Sequence, residues 1–292
     1  NGMELGYSVA AADINGDGYD DVVLRAPGVT TQNKIVVVFG AATQLDVVKS
    51  YDIELTARWN EQILDIVAGG DVQGDGFEDI AFRTTKGSKS FVYVLYGAAS
   101  LPTTIPLKTV KPEGLGMRYK STVESVAFAD FNGDDLSDLV LGVPGDDETT
   151  PGAVYILKGR SNGVSDTFRK SAFRRKDGTK VVGTADASIA SQFGKRITSI
   201  GDVNADDVDD ILITATATNE YDSYGYVLYG RSGYWKEEIA VDDLGADDGY
   251  IFFETEYECG GGDFNGDGIS DIATTIWYPS STPRTTVVYG SR

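Results

Sequence analysis

Histidine is absent from the 292-residue chain, and cysteine occurs once, as Cys259. Without histidine, the chain has no imidazole to serve as a general base, a proton shuttle or a zinc ligand. A single cysteine excludes an intrachain disulfide, so a fold outside the reducing cytosol needs another form of stabilisation, such as a bound metal ion. We interpret Cys259 as a small core side chain on a strand.

Basic side chains are scarce relative to acidic ones. The chain has 25 Lys and Arg against 45 Asp and Glu, for a formal net charge of −20. This balance argues against nucleic acid and anionic lipid partners, which are bound by clustered positive charge, and it favours cations. No run approaches the roughly 20 apolar residues that span a membrane, and no secretory leader opens the sequence. We therefore expect a mature or excised chain without direct membrane insertion.

One acidic segment occurs five times. It reads DINGDGYDDVVL at 13–24 and returns as DVQGDGFEDIAF, DFNGDDLSDLVL, DVNADDVDDILI and DFNGDGISDIAT, about 60 residues apart with one longer interval. Each copy follows an alternating segment such as KRITSIGD and contains a short apolar run such as VVL at its end. A third segment that ends in glycine, such as FVYVLYG, comes roughly 10 to 20 residues later, and a weaker fourth follows in most units.

The repeated segments predict strands. They alternate with a period of two, are rich in β-branched and aromatic residues, and are separated by Gly, Pro and Asp. Four short strands in a unit of this length are typical of a β-propeller blade. The sequence therefore predicts an all-β fold with one propeller domain over 1–292 and units at 1–58, 59–116, 117–188, 189–250 and 251–292. The fifth unit lacks an obvious fourth strand, so the propeller either closes without it or is part of a larger ring.

The acidic segment has the spacing of a calcium-binding loop. In the first copy, Asp13, Asn15, Asp17 and Asp21 stand at positions 1, 3, 5 and 9, and Tyr19 at position 7 offers its backbone carbonyl. Calcium takes six to eight oxygen ligands, and an EF-hand loop begins with the same spacing. An EF-hand also needs a glutamate at position 12, where all five copies have an uncharged residue. The prediction is a calcium loop between two strands.

All five copies are predicted to bind, which gives up to five Ca²⁺ ions. A lone Asp-Asn-Gly cluster is usually just a turn, but five copies with Asp at positions 1, 5 and 9 favour a metal. Loops 3 and 4 have Asp135 and Asp207 at position 6, where the other loops have glycine, and loop 4 alone also has Ala205 in place of glycine at position 4, so loop 4 is expected to be the weakest. The predicted ligands are Asp13, Asn15, Asp17, Tyr19 and Asp21 in loop 1; Asp71, Gln73, Asp75, Phe77 and Asp79 in loop 2; Asp130, Asn132, Asp134, Leu136 and Asp138 in loop 3; Asp202, Asn204, Asp206, Val208 and Asp210 in loop 4; and Asp263, Asn265, Asp267, Ile269 and Asp271 in loop 5.

These loops resemble the calcium loops of FG-GAP repeats, the units of the integrin α-subunit propeller and of related surface proteins. Leu5-Gly6 and Phe193-Gly194 resemble the Phe-Gly element of that family, and the segments around Pro27 and Pro144 resemble its Gly-Ala-Pro element. The resemblance covers essentially the whole chain. It implies a secreted or cell-surface, calcium-dependent, non-catalytic propeller for ligand binding or adhesion. Because integrin propellers have seven blades, it also allows these five units to belong to a larger ring.

Two other functions stay open. The chain has 16 tyrosines and three tryptophans, which could stack against sugars in a lectin, and an exposed tryptophan would favour that function. A polysaccharide-processing enzyme similar to lyase propellers is the third hypothesis. Without histidine, a nucleophile motif or a unique carboxylate pair, however, the sequence predicts no catalysis.

Contacts with a partner are predicted on the variable loops between strands, because the strands themselves are committed to packing. The segment FRKSAFRRKDGTK at 168–180 is basic in an otherwise acidic chain. The expected partner is a protein or glycan on a surface or in an extracellular assembly. The predicted contact residues are Tyr221, Tyr224, Arg174 and Arg175.

Overall fold

A computed structural model describes residues 6, 8–26, 33–42, 51–145, 150–165, 168–184, 192–216, 223–233, 236–253, 255–276 and 284–291. Tyr221, Leu5 and Pro27 lie outside these residues. Within the described ranges, no helix is long and apolar enough to cross a membrane.

Strands account for the regular structure of the described residues, apart from two 3-10 turns at Lys170–Ala172 and Val241–Asp243. The strands, in chain order, are β1 (Val9–Ala12), β2 (Asp21–Ala26), β3 (Lys34–Val38), β4 (Ile53–Thr56), β5 (Gln62–Gly70), β6 (Asp79–Lys86), β7 (Lys89–Leu95), β8 (Thr104–Pro106), β9 (Gly116–Lys120), β10 (Ser125–Ala129), β11 (Asp138–Val143), β12 (Ala153–Leu157), β13 (Gly178–Val182), β14 (Arg196–Gly201), β15 (Asp210–Thr216), β16 (Ser223–Leu228), β17 (Glu238–Ala240), β18 (Gly249–Phe253), β19 (Thr255–Gly262), β20 (Asp271–Ile276) and β21 (Arg284–Val288).

These strands form five repeated sheets. Four of them contain the antiparallel orders β1-β2-β3-β4, β5-β6-β7-β9, β10-β11-β12-β13 and β14-β15-β16-β18, and the fifth has β19-β20-β21 among the described residues. Two short strands add to outer edges in parallel, β8 beside β4 and β17 beside β13. The prediction of an all-β fold built from four-stranded, blade-like sheets is confirmed. The outer strands β9 and β18 run past the predicted unit boundaries at 116 and 250.

The chain divides into two compact units, residues 1–123 with 159–169 and residues 124–158 with 170–292. Unit 1 contains the first two sheets and unit 2 the other three. A single propeller domain over the whole chain stays a prediction.

The core of unit 1 lies between its two sheets. Val23 and Ile35 of the first sheet belong to one buried cluster with Phe82 and Tyr93 of the second. The Phe82 and Tyr93 rings are cross-strand neighbours and stack with centroids 5.1 Å apart. Because side chains alternate along a strand, the inward-facing residues of both sheets contribute to this one cluster.

In unit 2, the Phe-Gly element packs against the Gly-Val-Pro segment of the preceding sheet. Phe193 is buried, and its ring meets Tyr226 edge-on with centroids 5.2 Å apart. The Gly194 carbonyl accepts a hydrogen bond from the Ser125 hydroxyl at 2.9 Å. A Cβ on Gly142 would collide with the Gly194 carbonyl oxygen. The two glycines are therefore explained by one close approach of backbone between neighbouring sheets.

Candidate metal centre in the acidic loops

Each acidic loop connects the first strand of a sheet to the second. Position 1 follows the first strand, and position 9 is the first residue of the second strand, as Asp21 is in β2 and Asp79 in β6. The loop is therefore a strand-to-strand turn closed by the first antiparallel pair, such as Ala12 with Asp21.

The side chains at positions 1 and 5 organise the loop backbone. In loop 1, the Asp13 carboxylate accepts the N–H groups of Asp17 at 3.0 Å and Gly18 at 2.8 Å. Asp17 accepts the N–H of Tyr19 at 2.9 Å. The other four loops repeat these three hydrogen bonds between equivalent positions. The carboxylates therefore hold the turn as well as offering oxygens to a cation.

Position 6 adopts a left-handed backbone. The φ angle is 86° at Gly18, and it is 64° at both Asp135 and Asp207. Ala205 at position 4 is also left-handed, with φ 58°. Loop 4 thus carries two strained residues where glycine would be relaxed. Its hydrogen bonds are nevertheless those of the other loops.

Replacing Ala205 with glycine should stabilise the protein. An alanine in the left-handed region costs about 1–2 kcal/mol, and part of the gain is offset by the greater freedom of glycine in the unfolded chain. We expect a net gain of about 0.5–1 kcal/mol in urea unfolding of the metal-free protein. Gly266→Ala in loop 5 is the matched control, because it places alanine at φ 79° where no atom lies within 4 Å of the new Cβ. The Gly266→Ala variant should lose a similar amount of unfolding free energy. A lower stability of Ala205→Gly than of the wild type would contradict the argument that Ala205 is strained.

The aspartate at position 9 is buried in every loop, and none of the five is more than 1% exposed. The two oxygens of Asp79 accept the N–H of Val72 at 3.0 Å and the N–H of Gly97 at 2.9 Å. Loops 1, 4 and 5 have the same pair of bonds. Position 9 therefore joins its own loop to the end of the third strand.

This contact explains the glycine that ends the third strand. Gly97 supplies the N–H that Asp79 accepts, and a Cβ on Gly97 would collide with the Glu78 carbonyl oxygen. Gly230 is enclosed in the same way by the Asp209 carbonyl. The sequence shows the repeated glycine, but only the structure connects it with the acidic loop.

Loop 3 differs from the others at position 3. The Asn132 side-chain amide donates to both carboxylate oxygens of Asp138, at 3.0 and 2.9 Å. In loop 1 the equivalent Asn15 instead donates to Asp17 at position 5, at 3.0 Å. The structure thus distinguishes loop 3, whereas the sequence points to loop 4 as the weakest. The order of metal affinities stays a prediction.

The buried carboxylates lie in an unfavourable electrostatic environment. The pKa of Asp79 is raised to about 7, chiefly by burial; the charges of Asp71 and Asp75 contribute to the rise, and hydrogen bonds from two backbone N–H groups oppose it. The pKa of Asp210 is raised to about 7 by the same causes. A bound divalent cation would favour the ionised form of these groups.

The donor set fits calcium. Within the part of the chain that the structure describes, no three or more Asp, Glu, His or Cys side chains are clustered in a geometry that would hold a metal ion. The oxygens are nevertheless hard ligands of the kind that calcium takes, and a carboxylate oxygen that accepts one N–H keeps a further lone pair. The side-chain oxygen of Gln73, at position 3 of loop 2, is buried without a hydrogen-bond partner. That oxygen is suited to a cation.

Metal-free protein should lose stability as the pH rises from 5 to 8. An unfolded aspartate has a pKa of 3.8, whereas folded Asp79 and Asp210 have pKa values of about 7. Between these values the folded chain holds protons that the unfolded chain has released, so each increase in pH favours unfolding until the folded groups are also ionised. Melting temperatures of metal-stripped protein across this range test the prediction. Calcium should flatten the profile, and a metal-free profile that rises with pH would contradict it.

The predicted partner contacts are not equivalent in the structure. Arg174 and Arg175 are exposed in the turn before β13, and their backbone N–H groups donate to the carboxylates of Asp177 and Glu237, each at 3.2 Å. Tyr224 is partly buried on β16 and packs against the core of unit 2. Of the three tryptophans that the sequence analysis considered for sugar binding, Trp59 is 67% exposed in a turn.

The class of repeat follows from comparison with protein families. The model for the FG-GAP repeat matches residues 5–38 and 122–157, which include the acidic loops of the first and third sheets. Relatives include integrin alpha chains. The chain therefore contains integrin-alpha-like FG-GAP repeats, and the resemblance seen in the sequence is confirmed.

Three integrin chains illustrate the extent of the similarity. Integrin alpha-PS2 of Drosophila melanogaster is 28% identical over 178 residues, 54% of this chain and 12% of that protein. Integrin alpha-8 of Gallus gallus is 30% identical over 169 residues, 56% of this chain and 14% of that protein. Integrin alpha pat-2 of Caenorhabditis elegans is 25% identical over 233 residues, 72% and 18% respectively. The chain thus spans less than a fifth of these relatives.

Two solved structures are similar over most of the chain. Rhamnogalacturonan lyase YesW has a TM-score of 0.49 and 10% identity, covering 97% of this chain and 50% of that one. A rhamnogalacturonan lyase of Bacillus licheniformis has a TM-score of 0.41 and 12% identity, covering 94% and 49%. Likeness at this level does not bear on activity.

Proposed function

We propose that the chain is a calcium-stabilised, non-catalytic module that binds a protein ligand outside the cell or at its surface. The observation that carries the proposal is the fivefold acidic loop with a buried aspartate at position 9, in a chain with integrin-alpha-like FG-GAP repeats. The residues at positions 1, 3, 5 and 9 and the carbonyl at position 7 would hold up to five Ca²⁺ ions. When bound, each ion supplies positive charge to a cluster of carboxylates.

Calcium in these loops would act on the fold and not on a substrate. Position 9 begins the second strand and also holds the end of the third strand through its glycine. A cation at the loop would therefore fix three segments of one sheet at once. Rigid sheets of this kind leave the variable loops free to carry the ligand contacts.

The exposed basic turn is the surface that we assign to the ligand. Arg174, Arg175 and Lys176 are exposed and consecutive in a chain of net charge −20. Such a turn suits an acidic segment of a protein partner, because arginine binds carboxylates through paired hydrogen bonds. Tyr221 and Tyr224 stay proposed contacts of the same ligand.

The test is binding of the purified chain to immobilised acidic peptides, such as poly-glutamate, and to poly-lysine as the opposite charge. We expect calcium-dependent binding to the acidic surface, with weaker binding after Arg174–Lys176 is replaced by Gly-Ser-Gly. The control variant replaces Lys108 and Lys111, which removes two basic side chains elsewhere on the chain. Equal binding by the folded triple variant and the control would exclude the basic turn as the contact surface.

A sugar ligand is the second candidate, and Trp59 is the observation that favours it. Its side chain is 67% exposed, between the exposed residues Arg58 and Asn60. An exposed indole is a good surface for stacking against a sugar ring. A glycan array probed with the wild type and with Trp59→Ala tests this function. Glycan binding that is lost in the variant would support a lectin, and the absence of glycan binding by the wild type would exclude it.

A further inference from the structure

Within each unit, acidic loops of adjacent sheets are joined by the residue at position 8, which the calcium spacing does not include: Glu78 joins loop 2 to loop 1, and Asp209 joins loop 4 to loop 3. We propose that Glu78 and Asp209 couple these loops, so that the calcium sites of loops 1 and 2, and those of loops 3 and 4, fill as linked pairs. The inference rests on the proposed role of calcium, and it concerns regulation of those sites.

Loops 1 and 2 are connected by a reciprocal pair of hydrogen bonds. The N–H of Glu78, at position 8 of loop 2, donates to the Asp13 carbonyl at 3.0 Å. The N–H of Asp13 in turn donates to the Glu78 carboxylate at 2.7 Å. Both backbone groups of the first ligand position in loop 1 are therefore held by one residue of loop 2.

Loops 3 and 4 repeat this arrangement in unit 2. The N–H of Asp209 donates to the Asp130 carbonyl at 3.2 Å, and the N–H of Asp130 donates to the Asp209 carboxylate at 2.9 Å. A glutamate and an aspartate thus make the same pair of contacts in two places. Because the same pair of hydrogen bonds occurs in both units, we interpret it as a regular feature of the repeat and not as a chance contact.

Loop 5 provides an internal comparison. Its position 8 is Ser270, which has no carboxylate, and the Ser270 N–H donates to the Asp202 carbonyl at 2.9 Å. The acidic side chain at position 8 is therefore an addition to a backbone contact that is made in all three cases.

A second chain of hydrogen bonds connects the same loops. Asp79, at position 9 of loop 2, binds the N–H of Gly97 at 2.9 Å. The next residue, Ala98, donates its N–H to the carbonyl of Ile14 in loop 1 at 3.0 Å. The equivalent bond from Arg231 to Phe131 is 3.2 Å long and joins loops 3 and 4. Asp79, a proposed ligand in loop 2, is thus connected through Gly97 and Ala98 to the backbone of Ile14 in loop 1.

Calcium binding to loop 2 would therefore order loop 1. The carbonyl of Phe77 and the carboxylate of Asp79 are proposed ligands, and Glu78 lies between them in the chain. Fixing both neighbours fixes Glu78, which then holds Asp13 ready for an ion in loop 1. By linkage, an ion in loop 1 must favour binding in loop 2 by the same factor.

Loop 1 has its own optical probe. Tyr19 occupies position 7 there, whereas the other loops have Phe77, Leu136, Val208 and Ile269. Terbium is a luminescent substitute for calcium, and a tyrosine in the loop would sensitise its emission. Calorimetry with Ca²⁺ alone is measured first, and the absence of any binding there would reject the role of calcium itself. Loss of the terbium signal in Tyr19→Phe confirms that it reports on loop 1.

The decisive comparison is between Glu78→Ala and Asp20→Ala. Both variants remove an acidic side chain at position 8, but within the described residues the Asp20 side chain makes no hydrogen bond to another acidic loop, whereas the Glu78 carboxylate accepts the N–H of Asp13. We expect Glu78→Ala to weaken terbium binding in loop 1 about fivefold or more, and Asp20→Ala to leave it within about twofold. Asp75→Ala, which disables loop 2, should weaken loop 1 in the wild type and add little in the Glu78→Ala background. Equal loop 1 affinities in folded wild type and Glu78→Ala, with calcium binding intact, would overturn the coupling.

Discussion

Removal of calcium should lower the melting temperature by about 10 °C or more. A ligand at a hundredfold excess over its Kd stabilises the folded state by about 2.7 kcal/mol per site. A change of 1 kcal/mol corresponds to about 2–4 °C for a domain of 150–250 residues, so two filled sites are enough for the effect. The physical cause is the cluster of carboxylates around buried residues such as Asp79 and Asp210, which repel one another when no cation is bound.

The measurement is a thermal melt followed by far-ultraviolet circular dichroism, in excess calcium and in EGTA. Elemental analysis must show that the metal has been removed. Magnesium is the control ion, because it prefers a rigid octahedral shell and keeps its water, so it should restore less stability than calcium. Unchanged melting of verified metal-free protein would mean that the loops are only turns.

Period and composition were sufficient to predict the fold. The four short alternating segments found in most units correspond to β5, β6, β7 and β9 in the second sheet and to equivalent strands in the first, third and fourth sheets, while the fifth sheet has three strands among the described residues. The short strand β8 was not predicted, because three residues that include Pro106 carry no period. It forms because β4 offers an unpaired edge beside it.

The positions of the candidate ligands within each acidic loop could also be predicted from the sequence. Spacing alone identifies position 9 as a candidate ligand, but it does not show that Asp79 holds Gly97, which is 18 residues away. Contacts between sheets are still harder to predict from the sequence, since Glu78 and Asp13 are 65 residues apart. Such contacts depend on how sheets are placed side by side, which a repeat pattern does not specify.

The direction in which a side chain points was the other property that could not be predicted from the sequence. Tyr224 lies on a strand with alternating neighbours, and the sequence does not say which face of the sheet is buried. In the structure it packs against the core of unit 2. Trp59 lies in a turn where no period applies, and its exposure became known only from the structure.

Asp79→Ala should be among the most destabilising substitutions in the chain, even without calcium. The carboxylate is fully buried and accepts the N–H groups of Val72 and Gly97. Alanine would leave both donors unpaired, at about 1–3 kcal/mol each. Removing the desolvated charge offsets part of this cost above pH 7, where Asp79 is ionised. We expect a net loss of about 2–4 kcal/mol in urea unfolding of the metal-free protein at pH 6.

Asp75→Ala in the same loop is the matched control. Its carboxylate accepts one exposed N–H, from Phe77 at 3.2 Å, and it lies close enough to Asp79 to raise the pKa of that group. Without metal, its removal should therefore cost less than about 0.5 kcal/mol. In excess calcium both variants should lose stability, because each removes a proposed ligand. The difference between the two conditions separates the roles of the two residues: Asp75 is expected to act mainly through the ion, whereas Asp79 also holds the sheet through two buried hydrogen bonds. Equal losses in metal-free protein would show that the buried hydrogen bonds of Asp79 contribute nothing beyond those of an exposed turn.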